Sequence, residues 1–114
     1  MKKIIILYIT LLFASEAYSI GKVSDAKVTQ IRVDVDGRAM IFFDQLVGGT
    51  PANCVHPAYT KALGVDASTE GGKAVLSLAL AAKATGSPVT AYGLGVCGVY
   101  GGSIIETWNH GFLK

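Results

Sequence analysis

The sequence predicts a small α+β domain with a mainly antiparallel sheet, one α-helix and one disulfide. Three observations predict it. Apolar and polar residues alternate from Val28 to Asp36, ahead of an Asp36-Gly37 turn and a second strand-like run. An Ala- and Leu-rich segment from Gly71 to Ala84 lies between a capping hydroxyl and Gly86. Cys54 and Cys97, 43 positions apart, are the only two cysteines.

The first residues stand apart from that domain. Lys2 and Lys3 precede an apolar run from Ile4 to Ala14 that only Thr10 interrupts, and Ala17-Tyr18-Ser19 places small residues at the spacing of a cleavage site. A membrane-spanning helix needs about 20 apolar residues, and this run is roughly half that. Residues 1–19 therefore read as a secretory signal peptide cleaved after Ser19 or Ala17, with a single domain over residues 20–114 that is periplasmic or secreted and has no membrane span after cleavage. Removing 1–19 takes Lys2, Lys3 and Glu16, so eight basic and seven acidic residues remain on 95. That near balance gives no basic surface for nucleic acid.

An exported chain meets an oxidising compartment, so Cys54 and Cys97 are expected to be bonded. Such a staple matters, because a domain below about 100 residues buries only around 60% of its unfolded surface.

Taking the elements in order, Ile31, Val33 and Val35 fall on one side of the first strand, with Arg32, Asp34 and Asp36 on the other. Arg38 to Asp44, with Met40, Ile41, Phe42 and Phe43, is the second arm of a hairpin. Gly48-Gly49-Thr50-Pro51 breaks the chain before a short third strand expected around Asn53 to His56, which Pro57 ends. Ala58 to Val65 reads equally as a loop or as one more short strand. The helix, about 69–85, is capped by Ser68 or Thr69, carries Glu70 at the positive end of its dipole, and stops at Gly86 and Pro88. At 100° per residue, Val75, Leu78, Ala79 and Ala82 share one side, while Lys73, Ser77, Leu80 and Ala84 share the other. That second side is too apolar for an ordinary exposed face, so the helix is expected to pack on both sides, which favours an oligomer. A strand from Val89 to Leu94, a glycine-rich stretch from Gly93 to Gly102 and a last strand from Ser103 to Trp108 complete the domain.

Gly93-Leu94-Gly95-Val96-Cys97-Gly98 matches G-x-G-x-x-G, yet Val99-Tyr100-Gly101-Gly102 after it cannot open a helix and no βαβ unit follows, so a bent strand is the better reading. Gly71-Gly72-Lys73 fails as a phosphate loop, with Ala67 where a glycine belongs and Ala74 where magnesium needs a hydroxyl. His56 and His110 show no metal or acid–base spacing with Asp44 or Glu106, and no nucleophile elbow is present. No cofactor or metal is expected, and no catalytic group emerges. Tyr92, Tyr100, Glu106, Trp108 and Asn109, with His110, are the candidate ligand site. Aromatic faces stack on sugars while amide and carboxylate groups fix hydroxyls.

The stretches Val28-Thr29-Gln30-Ile31-Arg32-Val33, Ile41-Phe42-Phe43, Gly49-Thr50-Pro51 ahead of Cys54, and Thr85-Gly86-Ser87-Pro88-Val89-Thr90-Ala91-Tyr92 carry a resemblance. The order of elements resembles the B subunits of bacterial toxins that seat one A subunit on a five-membered B ring, in the subtilase-cytotoxin and pertussis-like branch. The resemblance implies an OB-like antiparallel β-barrel of five or six strands with one helix. It further implies a ring, pentameric in that family, with helices around a pore, glycans on the outer face and a catalytic A subunit as partner. The expectation is an exported, non-enzymatic, oligomeric module that binds a glycan or glycoprotein receptor. The alternative is a small periplasmic structural or inhibitor-like domain acting through a protein interface.

Overall fold

The computed structural model describes residues 20–114; the expected signal peptide, residues 1–19, lies outside the described residues. In chain order the elements are β1 (Gly21–Ala26), β2 (Val28–Val33), β3 (Arg38–Phe43), β4 (Gly48–Gly49), β5 (Ala62–Asp66), α1 (Glu70–Thr85), β6 (Val89–Gly93) and β7 (Trp108–Leu113). A single 3-10 turn at Pro57–Tyr59 precedes β5. The seven strands form two antiparallel sheets, ordered β4-β1-β6-β7 and β2-β3-β5.

The hairpin forms as its residues dictate, but with a longer turn than Asp-Gly alone provides. Asp34 N donates to Arg38 O at 2.8 Å, Gly37 N donates to Asp34 O at 2.9 Å, and Gly37 takes φ 96°, a conformation glycine tolerates and side chains resist. Register then pairs Ile31 with Ile41 and Val33 with Ala39. The expected apolar side stops there: Val35 rides the turn fully exposed, and Val33 projects past the cover of the helix. β3 departs from alternation in the other direction, since Met40, Ile41 and Phe43 are all buried. Ala39, Ile41 and Phe43 face the main core with Val23, Leu63, Val89 and Ala91, whereas Met40 joins Ala62 and Ile105 in a smaller cluster on the opposite face.

Two strand expectations are corrected. No strand forms at Asn53 to His56; that segment is an irregular loop, and the ambiguous stretch after it supplies the 3-10 turn and β5. Ser103 to Trp108 is not the last strand, because Ile104 and Ile105 there pack with Met40 and Ala62 and only Trp108 onward pairs with β6, with Tyr92 opposite His110 and Ala91 opposite Gly111. The sequence reading also omitted β1, whose Lys22, Ser24 and Asp25 are exposed while Val23 and Ala26 are buried.

The helix has the bounds and caps its sequence predicts, but it does not pack on both sides within the domain, since Lys73, Ser77, Leu80 and Ala84 are exposed. Thr69 Oγ1 accepts from Gly72 N at 2.9 Å, and Gly86 ends the helix in the left-handed region with its N–H on Ala82 O at 2.8 Å. Ala79 and Ala82 are buried, Val75 and Leu78 pack against the core, and Lys73, Ser77, Leu80 and Ala84 face outward.

The two glycines at its start respond oppositely to substitution. A Cβ on Gly71 meets nothing, so Gly71→Ala should gain about 1 kcal/mol from helix propensity. A Cβ on Gly72 overlaps the Asp66 carbonyl, which is backbone of β5 and cannot move aside, so Gly72→Ala should lose about 2 kcal/mol or more despite the same propensity. Urea denaturation of both variants checks the pair; equal shifts would mean that the helix start does not press on β5.

Candidate functional site

The most elaborated polar surface lies on the outer side of β2-β3-β5, where the loop between β6 and β7 folds back over the sheet. Its base is closed by Leu94 N to Thr107 O at 2.7 Å and Thr107 N to Val96 O at 2.9 Å. An isolated parallel bridge joins Gly64 of β5 to Thr107, with Gly64 N donating to Glu106 O at 2.8 Å. The loop thereby lays Ile104, Ile105 and Tyr100 on Met40, Phe42 and Ala62. Burial of this small apolar floor sets the height at which Tyr100 stands.

Tyr100 is the centre of a charged ring. Its hydroxyl donates to Asp34 Oδ2 at 2.5 Å, while Asp34 Oδ1 accepts from Arg32 Nε at 3.0 Å. The Arg38 guanidinium carbon lies 4.7 Å from the Tyr100 ring centroid and that of Arg32 5.7 Å, both within cation–π range. Arg38 Nη2 contacts Asp36 Oδ2 at 2.6 Å, and Arg32 Nη1 reaches Tyr59 OH at 3.4 Å. Hydrogen bonds from Tyr100 and then Arg32 hold the Asp34 carboxyl below its ordinary range, and Arg38 does the same for Asp36. Burial, followed by the bond to Asp34, pushes the Tyr100 phenol well above the usual tyrosine value, so it remains a neutral donor. Arg38 Nε is buried with no hydrogen-bond partner among the described residues.

Beside this ring a cleft of about 310 Å³ opens at the start of α1, lined by Val65, Asp66, Thr69, Val99, Trp108 and Asn109. Asp66 belongs to both: it pairs with Arg38 across the sheet, and Ser68 holds its carboxyl below the ordinary range. The combined surface offers carboxylates, guanidinium groups, a phenol and an amide around an aromatic rim. Such groups can exchange hydrogen bonds with hydroxyls while the aromatic rim offers an apolar face.

The five residues chosen from sequence do not converge. Tyr100 is in the ring, and Trp108 and Asn109 line the adjoining cleft. Trp108 is only 7% exposed, its ring packed where a Cβ on Gly111 would sit, so it chiefly fills the core. Tyr92 lies on the outer face of the other sheet, stacked on His110 at 4.6 Å with Lys22 Nζ 5.2 Å from its ring. Glu106 is 1% exposed and points inward. Arg32, Asp34, Asp36, Arg38 and Tyr59 were missed. Their signal was the polar side of the hairpin, where Arg32, Asp34, Asp36 and Arg38 recur at every second position.

Glu106 instead anchors the scaffold. Its Oε2 accepts from Gly21 N at 2.9 Å and Gly95 N at 3.0 Å, and its Oε1 accepts from Ala52 N at 2.9 Å. No Lys, Arg or His of the described residues pairs with it. A Cβ on Gly93 or Gly21 would collide with the carboxylate, so both positions need glycine for this approach. Ala52 and Gly95 each lie two residues before a cysteine, and Cys54 and Cys97 are bonded with Cα atoms 6.2 Å apart. Carboxylate and disulfide thus hold the same two loops. A cleft of about 320 Å³ opens beside the Ala52 loop, lined by Leu46, Val47, Pro51, Val55 and Tyr59 with Asn53, Thr60 and Glu106 as its polar members.

Fold and site together define a small, disulfide-bridged α+β domain carrying a polar face around an aromatic rim. Among the described residues no helix is long and apolar enough to cross a membrane, and no group of three His, Cys, Asp or Glu side chains is placed to hold a metal. Comparison with protein-family models, with curated proteins and with solved structures gives no match.

Proposed function

We propose that the chain is an exported, non-enzymatic binding module built on an OB-like barrel, and that the Tyr100 face recognises a carbohydrate. The observation that carries the reading is strand order. Only Lys27 separates β1 from β2, and Asp25 at φ 49° with the register shift between Val23 and Ala26 supports one bent strand feeding both sheets. The Gly64–Thr107 bridge brings β5 beside the lead-in to β7. The succession is then β2-β3-β5-β7-β6-β1, with the helix between the third and fourth barrel strands. In OB folds, ligands are taken by the face of the second and third strands and by the loops after the first and fourth. Here those are β3, β5, the Asp34–Gly37 turn and the 94–107 loop, which meet at Tyr100.

Oligonucleotides bind the same face in other OB folds, but they need net positive charge. Asp34, Asp36 and Asp66 outnumber Arg32 and Arg38 here, which favours a sugar. The exposed Leu80 and alanines on the outward side of α1 and the resemblance to toxin B subunits support a ring in which weak sites add through effective concentration, with a catalytic A subunit as partner. Exposed His110 and Phe112, with half-buried Tyr92 stacked on His110, favour a second reading, a protein-interaction domain working through that face.

Calorimetry with hits from a glycan array tests the first reading. Tyr100→Ala is expected to weaken binding at least tenfold while Tyr92→Ala leaves it unchanged. No sugar bound at millimolar concentration, or the reverse pattern of the two variants, would overturn it, and native mass measurement decides between ring and monomer.

A further inference from the structure

We propose that signal-peptide removal after Ser19 supplies the cation that Glu106 lacks, so that the new α-ammonium of Ile20 stabilises the mature fold. The inference rests on the export reading above. Its structural basis is a carboxylate that is 1% exposed, bonded to three backbone N–H groups, and without an ion-pair partner among the described residues. An ionised carboxylate in such a place normally has a cation nearby, since burial without one is costly.

One of its three donors is Gly21 N, one residue beyond the cleavage position. Consecutive residues are about 3.8 Å apart along the chain, which places an Ile20 ammonium within roughly 7 Å of the carboxylate. The chain is fixed from the Ile20 carbonyl onward. Thr50 N donates to Ile20 O at 3.2 Å, and β1 pairs Gly21 with Gly49 and Lys22 with Gly48. The Cα of Ile20 is therefore held, and rotation about its Cα–C bond alone carries the nitrogen toward or away from the carboxylate, so little ordering is needed to form the pair. Ile20 itself is 38% exposed, so the ammonium keeps part of its hydration while its field acts on a buried partner. A neutral amide in the same place, as in the uncleaved chain, cannot act in this way. Cleavage after Ala17 leaves the charge two residues further off. Processing would then do more than release the protein: it would tighten the closure that Glu106 makes between β1, the Ala52 loop and the Gly95 loop.

The experiment compares three forms of the refolded, oxidised domain by thermal denaturation at low salt: residues 20–114 with a free amino group, the same chain Nα-acetylated, and residues 18–114. The free Ile20 form should melt about 4–8 °C above the other two, and 1 M NaCl should cut the difference by more than half. In a Glu106→Gln background, compared with trimethylamine oxide present if stability requires it, the difference should vanish. Equal melting of the free and acetylated wild-type forms overturns the pairing. Intact mass of the exported protein tests the processing step separately. A first residue of Ile20 is expected; any other overturns the link to cleavage even when the refolded forms differ.

Discussion

Glu106→Gln is expected to destabilise the domain by about 3 kcal/mol, although it removes no volume and only one formal charge. The amide keeps one acceptor oxygen. If that oxygen takes the place of Oε2, it retains Gly21 and Gly95, and the NH₂ group then faces the Ala52 N–H; the opposite orientation sets it against two donors. Rotation cannot relieve either arrangement, because the backbones of Gly21 and Gly93 leave no room. The remaining bonds also lose their charge assistance, and charged acceptors are roughly twice as strong as neutral ones. Three kcal/mol is a large share of the 5–15 kcal/mol that holds a domain together. Urea midpoints of the oxidised proteins measure it. A loss below about 1 kcal/mol would mean that the carboxylate does not close the fold through its three donors. Substitution of Asp34 by Asn offers the contrast, since Asp34 is bonded but on the surface, where such contacts contribute little.

That contrast explains what sequence could and could not reveal. The helix was legible because Thr69, Glu70, the Ala and Leu run and Gly86 are local signals that agree with one another. The hairpin was legible for the same reason. β1 was not, because GKVSDA has two buried apolar residues in six and gains its place by pairing with β6, more than 60 residues away. The last strand was misplaced because Ile104, Ile105 and Trp108 are the most strand-like residues of the C-terminal stretch. Ile104 and Ile105 owe their cover to folding over Met40 and Ala62 and not to sheet pairing, and only Trp108 opens the strand that pairs with β6. Glu106 was chosen for its chemistry and found in a structural role, since nothing local distinguishes an acceptor of sugar hydroxyls from an acceptor of backbone amides. Arg32, Asp34, Asp36 and Arg38 read as the solvated side of a hairpin until Tyr100 arrives from a loop 66 positions beyond Asp34. Sites made by loops that return over a sheet have no contiguous signature.

Loss of the Cys54–Cys97 bond should cost about 4 kcal/mol by releasing a 43-residue loop in the unfolded chain, lowering the melting temperature by roughly 20 °C. The native state gains little in compensation. With the sulfurs reduced, Ala52 and Gly95 remain bonded to the Glu106 carboxylate, and Thr107 still closes the base of the 94–107 loop, so both cysteines stay near their oxidised positions. The reduced domain should therefore keep the near-ultraviolet dichroism of Trp108 and Tyr100, and its affinity for any ligand of the Tyr100 face, at temperatures well below its lowered midpoint. Denaturation with and without dithiothreitol, followed by dichroism at 10 °C, separates the two effects. A reduced protein with the expected loss of stability but altered aromatic signal would show that the disulfide shapes the site as well as stapling the chain. A loss of only 1 kcal/mol would mean that the unfolded chain already keeps these loops together. Reoxidation with glutathione disulfide should be fast for the same reason that reduction leaves the loops in place, because the carboxylate presents the two thiols to each other before the bond forms.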